Sequence, residues 1–169
     1  MITQTKRFYT IALVVVLMWL LFLVGCKAPD CPKLDAPAPI ISVKALDGKI
    51  VKLSDYKGKT VILNFWQTTC TWCNYQMPFL QTIYDKYSEG GLVILAVNVA
   101  ESLDKVKAYL QNTGYTFTIL LDENAQTKIQ YCVPAFPATI FINKNGIIRN
   151  AKLGAFQNIK ELEEYLKTL

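Results

Sequence analysis

Two cysteines stand three positions apart in Cys70-Thr71-Trp72-Cys73, after an apolar run and before a helical pattern. This spacing lets two thiols close a disulfide within one helical turn. The N-terminus of a helix also favours a thiolate on the first cysteine, because its free N–H groups and its dipole stabilise negative charge. The motif therefore predicts dithiol–disulfide exchange, with Cys70 as the exposed nucleophile and Cys73 as the thiol that resolves a mixed disulfide.

The composition restricts other chemistry. The 169 residues include five cysteines and no histidine, which excludes Ser-His-Asp and Cys-His catalysis and histidine-ligated metal sites. A zinc site on the C-x-x-C motif would need two more ligands, for which only Cys31 and Cys132 remain, as widely separated residues. A purely structural Cys70–Cys73 disulfide is also disfavoured, since so short a loop contributes little stability. We expect neither a metal nor another cofactor.

The N-terminus carries a targeting pattern. Residues 8–24 form an uncharged apolar run that follows Lys6 and Arg7, the layout of a secretory signal and also of an uncleaved membrane anchor. At its end, Leu23-Val24-Gly25-Cys26 resembles a bacterial lipobox, whose cysteine is lipidated and becomes the first residue. We expect residues 1–25 to be a signal peptide or anchor and Cys26 to be lipidated. Both alternatives place the domain on the extracytoplasmic face of the bacterial membrane.

The segment 26–39 is rich in proline, which predicts a short stiff tether between the membrane and a domain that spans residues 40–169. The net charge of the whole chain is +5, and its Lys and Glu residues are interspersed. So small a charge without a basic patch is explained by solubility alone, so no nucleic-acid partner is expected.

Strand and helix patterns alternate along residues 40–169 and end in a hairpin and a helix, which predicts an α/β fold with a mixed central sheet flanked by helices. The first two strands form an N-terminal hairpin about Asp47-Gly48. Pro78 should kink or restart the first helix. The predicted strands are 40–44, 50–53, 61–66, 92–99, 117–121, 138–143 and 147–152, and the predicted helices are 72–88, 102–114, 124–130 and 158–167.

Several motifs agree in their order with a known family. The chain resembles the TlpA/ResA-like thiol-disulfide oxidoreductases, which are membrane-anchored proteins of thioredoxin-like fold in the bacterial envelope. The resemblance covers roughly residues 36 to 168. Besides the C-x-x-C motif it rests on residues 36–39, 46–49, 53–59, 61–66, 131–133 and 136–143, and on Gly146.

The resemblance implies roles for residues outside the motif. Pro137 corresponds to a cis-proline that faces the cysteines and presents the backbone of Phe136 to a substrate chain. Ordinary core packing is the alternative role for Phe136. Trp66 matches an aromatic residue that packs beside the first cysteine. Asn64 stands where cytoplasmic thioredoxins carry a buried acid.

The chain departs from the family pattern at three positions. Thr69 replaces a common Trp, Trp72 replaces the usual Pro, and Gln76 replaces a Glu. Glutamine cannot move a proton, and the loss of a negative charge favours a thiolate nearby. A more stable thiolate makes the disulfide more oxidising, so the loss of this charge opposes the reducing direction. We include Trp72 and Gln76 among the residues that support the active site.

Cys31 and Cys132 allow three alternatives in an oxidising compartment. They are two unrelated cysteines, or they pair and fasten the tether to the segment before Pro137, or Cys132 is a third redox thiol. We favour the first alternative.

The function expected from the resemblance is reduction of protein disulfides outside the membrane. Apocytochrome c is one possible substrate, and a CcdA/DsbD-type membrane thiol transporter is the expected electron donor. One alternative is a peroxiredoxin-like peroxide reductase, although Leu63 and Gln67 stand where its P-x-x-x-T-x-x-C signature needs Pro and Thr. Another alternative is a lipoprotein that binds Cu(I) through Cys70 and Cys73 without catalysis.

Overall fold

The computed structural model describes residues 30–169, so the expected signal or anchor and the lipidation of Cys26 lie outside the described residues. No helix within residues 30–169 has the length and apolar character needed to cross a membrane. The strands are β1 (Ser42–Ala45), β2 (Ile50–Lys52), β3 (Thr60–Trp66), β4 (Leu92–Val99), β5 (Thr118–Asp122), β6 (Ala138–Ile142) and β7 (Ile148–Leu153). The helices are α1 (Thr71–Tyr87), α2 (Leu103–Leu110), α3 (Gln126–Gln130) and α4 (Ile159–Leu166), with a 3-10 turn at Leu53–Tyr56.

Within the described residues, seven strands form one sheet in the order β2-β1-β5-β4-β3-β6-β7. The central strands β3, β4 and β5 are parallel, and the outer pairings are antiparallel. The predicted mixed α/β sheet of thioredoxin-like type is therefore confirmed. Strands β3 and β4 are buried along almost their whole length, as continuous apolar runs require when helices cover both faces.

The side chains of β3 alternate between two cores. Val61, Leu63 and Phe65 face one apolar cluster, whereas Ile62 and Trp66 face the other. Helix α1 packs on the second face, where its buried positions repeat at helical spacing as Cys73, Met77, Leu80 and Ile83. The resolving cysteine is thus held by the same contacts that dock α1 on the sheet.

Two helix boundaries differ from the sequence expectation, and Pro78 does not restart α1. Helix α1 runs through Pro78, because burial of its apolar face outweighs one lost backbone hydrogen bond. Helix α3 begins only at Gln126, since Ala125 before it has a φ of 56°. Helix α2 ends at Leu110, before the glycine at position 114.

The Pro-rich segment predicted as a tether packs on the domain for part of its length. Asp35 N–H donates to the carbonyl of Ile148 at 2.8 Å, and Ile148 N–H donates to the carbonyl of Ala36 at 3.0 Å. Further along, Ala38 N–H donates to the carbonyl of Gly146 at 2.9 Å. The turn before β7 exposes backbone groups that an extended chain can satisfy, so this part of the segment belongs to the folded domain.

Cys31 and Cys132 form a disulfide with a Cα–Cα distance of 5.5 Å across a sequence separation of 101 residues. The expectation of two unrelated cysteines is therefore wrong, and the pairing alternative is correct. Backbone pairing of the N-terminal segment with the domain brings the two thiols together. The bond fastens this segment to the loop that leads into β6.

Candidate active site

Cys70 and Cys73 form a disulfide at the start of α1, with a Cα–Cα distance of 5.2 Å. Cys70 is the N-cap of the helix, and its sulfur accepts a hydrogen bond from the N–H of Cys73 at 3.1 Å. Cys73 is fully buried, whereas Cys70 is half-buried. Only the Cys70 sulfur is open to an incoming partner, as the predicted roles of nucleophile and resolving thiol require.

The N-terminus of α1 carries no compensating acid. Its first turn contains no acidic residue, and the first charged residue of the helix is Asp85. After reduction, the N–H of Cys73 and the helix dipole face the Cys70 sulfur without a competing negative charge on the helix. This arrangement stabilises the Cys70 thiolate, which acts as the nucleophile in exchange and as the leaving group from a mixed disulfide.

Pro137 immediately precedes β6, which runs antiparallel to β3, the strand that leads into the cysteine motif. Phe65 pairs with Ala138, so the next position of this register sets Trp66 opposite Pro137. The Phe136–Pro137 bond is cis, as the resemblance implies. The carbonyl of Pro137 accepts a hydrogen bond from Gly154 N–H at 2.8 Å. Phe136 is half-buried and contacts both cores.

Two fully buried side chains from β3 lie behind the motif. Trp66 shares an apolar cluster with Cys73 and packs its ring 5.4 Å from that of Tyr109. Asn64 donates through Nδ2 to Thr139 Oγ1 at 2.9 Å. Trp66 Nε1 and Asn64 Oδ1 have no hydrogen-bond partner among residues 30–169. Trp66 therefore packs in the same buried cluster as Cys73, and Asn64 places a neutral amide in the same strand.

Gln76 lies one helical turn after Cys73 and is fully buried. Its Oε1 accepts a hydrogen bond from the N–H of Phe156 at 3.3 Å. The side chain ties α1 to the segment after β7 and carries no charge. Trp72, between the two cysteines, is 60% exposed.

The sequence analysis missed Glu101, a buried carboxylate two residues after β4. Its Oε2 accepts hydrogen bonds from Thr68 N–H at 2.7 Å and Asn98 Nδ2 at 2.7 Å. Its Oε1 accepts from Thr68 Oγ1 at 2.8 Å and pairs with Lys105 Nζ at 2.7 Å. Burial raises the pKa of Glu101, but the hydrogen bonds from Lys105, Thr68 and Asn98 outweigh it, so the pKa lies below its ordinary value.

This network fixes the loop that precedes Cys70. Asn74 Nδ2 donates to the carbonyl of Thr68 at 2.9 Å, and Tyr109 OH donates to Asn74 Oδ1 at 2.9 Å. Residues from β4, α1 and α2 thus converge on Thr68. The signal in the sequence was an acid just after a buried strand, since the carboxyl ends of adjacent parallel strands meet at one edge of a sheet.

The two positions at which the peroxiredoxin signature needs Pro and Thr do not support the peroxidase alternative. Leu63 is fully buried in the core, and Gln67 Nε2 donates to the carbonyl of Val99 at 3.0 Å.

Comparisons with known proteins agree with this geometry. The model of the AhpC/TSA family matches residues 34–151. The thiol-disulfide oxidoreductase ResA of Geobacillus thermodenitrificans is 35% identical over 132 residues, which are 78% of this chain and 75% of that protein. ResA of Geobacillus kaustophilus is 36% identical over 146 residues, or 86% of this chain and 78% of that one.

Solved structures show the same fold. The thiol:disulfide interchange protein DsbE from Chlorobium tepidum superposes with a TM-score of 0.75 at 27% identity, covering 80% of this chain and 96% of that one. The exposed lipoprotein thioredoxin Etrx1 from Streptococcus pneumoniae has a TM-score of 0.69 at 28% identity, covering 78% of this chain and 100% of that one. The sequence matches span Cys70, Cys73 and Pro137.

Proposed function

We propose a direction and a location for the chemistry of this chain, which belongs to the AhpC/TSA family and is a thiol-disulfide oxidoreductase of the ResA type. It acts as a reductant of protein disulfides on the extracytoplasmic face of the membrane. The observation that carries the exchange chemistry is an accessible Cys70 bonded to a buried Cys73 at the N-terminus of α1, beside Pro137.

The reaction begins with the reduced pair. The Cys70 thiolate attacks one sulfur of the substrate disulfide, forming a mixed disulfide and releasing the first substrate thiolate, which takes up a proton. Cys73 then loses its proton and attacks the Cys70 sulfur, which releases the second substrate thiolate. Two electrons have passed to the substrate, and the chain holds the Cys70–Cys73 disulfide.

The burial of Cys73 supports the reducing direction. Cys73 belongs to the same buried apolar cluster as Trp66, Met77 and Leu80, and apolar surroundings disfavour a thiolate there. A reduced form with a less stable thiolate passes its electrons on more readily. The neutral Gln76 and the N-terminus of α1, which stabilises the Cys70 thiolate, act in the opposite direction, so the measured potential decides the balance.

The second disulfide and the N-terminal sequence support the location. Disulfides persist mainly in oxidising compartments, and Cys31–Cys132 is a bond outside the redox motif. The basic and apolar N-terminus ends at Cys26 in a lipobox-like sequence. Mass spectrometry of the chain extracted from membranes tests the anchor. Loss of residues 1–25 with added acyl mass on Cys26 supports a lipoprotein, and an intact N-terminus supports a helical anchor.

The proposed partners follow from the direction and location. The substrates are disulfides of envelope proteins, with apocytochrome c as the first to test. The electron donor is a membrane thiol transporter of CcdA/DsbD type, because an extracytoplasmic reductant must be re-reduced from the membrane side.

The decisive measurement is the reduction potential of the Cys70–Cys73 couple. The full chain is kept in mild detergent with Cys26→Ala and equilibrated with glutathione buffers. A C31S/C132S variant isolates the active couple, and a C70S/C73S variant isolates the other disulfide. A value near that of thioredoxin, about −270 mV, supports the reductant, whereas a value near about −120 mV indicates an oxidant. Absence of a two-electron couple would refute the exchange function and favour Cu(I) binding.

A further inference from the structure

We propose that Trp72 and Tyr75 form a docking surface for an apolar or aromatic side chain that lies next to the reacting cysteine of the partner polypeptide. The proposal rests on the proposed exchange function and names the class of sequence that the site prefers. Trp72, between the two cysteines, is 60% exposed, and Tyr75, two residues after Cys73, is 46% exposed.

The aromatic rings form a ladder along the outer face of α1. The centroids of Trp72 and Tyr75 lie 5.9 Å apart at 84°, and those of Tyr75 and Phe79 lie 5.3 Å apart at 83°. Spacings of three and four residues place the rings on one helix face. Edge-to-face pairs of this kind hold both rings in place and leave faces and edges free for a further ring. We call Trp72, Tyr75 and Phe79 the aromatic ladder.

Hydrogen bonds join the ladder to the Pro137 side of the site. Tyr75 OH donates to the carbonyl of Gln157 at 3.1 Å. The same segment is attached to α1 through Gln76 and to β6 through the bond between Gly154 N–H and the Pro137 carbonyl. Tyr75, Gln76 and Pro137 are therefore all hydrogen-bonded to residues 154–157, which fixes the position of the Tyr75 ring, so little ordering is needed when a partner binds.

The segments that build this surface carry no charge. No Asp, Glu, Lys or Arg occurs in residues 60–84, 131–143 or 153–159. The two carboxylates that accept backbone hydrogen bonds from these segments, Glu101 and Glu161, are paired with Lys105 and Lys152. Placing a charged side chain of a partner against the exposed rings would cost its hydration. Apolar contact is the recognition that this chemistry permits. The occupant is an extended segment that carries the target cysteine, because the ladder begins at Trp72, between Cys70 and Cys73 in the chain.

The test compares two symmetric peptide disulfides that differ only in the residue after cysteine, Phe in one and Ser in the other. The reduced full chain with Cys26→Ala is mixed with each peptide, and its oxidation is followed by quenched-flow mass spectrometry. The ratio of the two rates cancels changes in the reactivity of Cys70 itself. We expect the Phe peptide to react about tenfold faster, since aromatic contacts and buried area together reach that factor.

Variants assign the preference to the ladder. W72A and Y75A should each reduce the ratio below about threefold, whereas Y75F should retain most of it because the ring remains. I50A is the matched control, since Ile50 is 51% exposed on the edge strand β2. A ratio near one in the unaltered chain, or a ratio that survives both alanine variants, would overturn the docking surface alone. Failure to react with either peptide would overturn the exchange function together with it.

Discussion

Replacement of Glu101 by alanine should lower the free energy of unfolding more than a typical substitution of an exposed residue does. The Glu101 side chain is 4% exposed, and its removal leaves the Thr68 N–H and the Asn98 amide without an acceptor in a buried place. Each orphaned donor costs about 1–3 kcal/mol. The contact with Lys105, whose side chain is 50% exposed, adds at most about 1 kcal/mol. We therefore expect a loss of about 3–5 kcal/mol in the free energy of unfolding.

Glu101→Gln separates the hydrogen bonds from the charge. Its amide oxygen can accept from Thr68 N–H and from Asn98, and its amide nitrogen can donate to the Thr68 hydroxyl, which also accepts. Lys105 can turn to solvent. The expected loss is only about 1 kcal/mol, so the two variants should differ clearly. Lys105→Met, which removes only the half-exposed partner, is the control and should cost less than either.

The pH dependence has a definite sign. The folded-state pKa of Glu101 lies below its ordinary value of 4.5. The ionised carboxylate therefore stabilises the fold above that value, and the contribution is lost as pH falls through the lowered folded pKa. Glutamine does not titrate, so the difference between the unaltered chain and the Gln variant should shrink under acid conditions.

Urea unfolding of the oxidised chain, followed by circular dichroism at pH 7 and pH 4, measures both effects. Oxidation keeps the two disulfides closed in every variant. An alanine variant within about 1 kcal/mol of the unaltered chain would refute the structural role. Equal losses in the Ala and Gln variants at pH 7 would show that the charge, not the set of accepted hydrogen bonds, holds the loop before Cys70.

Three further outcomes are expected. C31S/C132S should lose about 4 kcal/mol of unfolding free energy in urea, because the bond closes a loop of about 100 residues; an unchanged midpoint would contradict this stabilising role. Tyr131→Phe removes the buried hydrogen bond from the tyrosine hydroxyl to the carbonyl of residue 39, at 2.7 Å. The variant should lose about 1 kcal/mol of unfolding free energy. The loss should not depend on pH between pH 6 and 8, because burial raises the pKa of Tyr131 well above its ordinary value. Gln76→Glu restores a negative charge one turn from Cys73 and should make the potential of the active couple more negative by about 30–60 mV in glutathione buffers. A shift in the positive direction would contradict the electrostatic reasoning.

The central part of the fold could be predicted because its signals are local. Strands β3 and β4 are continuous apolar runs, and α1 begins where a buried strand gives way to the cysteine motif. Helices α2 and α4 are capped by Ser102 and Asn158, whose side chains accept hydrogen bonds from the first turn. Such caps are readable from sequence, because one side chain replaces one missing backbone partner.

The parts that were missed depend on contacts distant in the sequence. Cys31 and Cys132 are 101 residues apart, and no local pattern shows that the Pro-rich segment pairs with the chain before β7. Glu101 meets Thr68 only because β3 and β4 are adjacent and parallel. Strand order decides both contacts, so hydrophobic periodicity alone could not reveal them.

The positions of the buried carboxylates also determine which groups can exchange a proton with the cysteines. Among the described residues, the buried carboxylates are Glu101 and Asp122. Asp122 caps α3 through Thr127 and Lys128, and Glu101 stays ionised above acid pH because its pKa is lowered. The two positions at which the resemblance expects a buried acid hold the buried amides Asn64 and Gln76. The proton that Cys73 loses in the resolving step is therefore expected to pass to solvent or to a leaving thiolate rather than to a carboxylate. The pH profile of exchange should consequently follow the thiols alone.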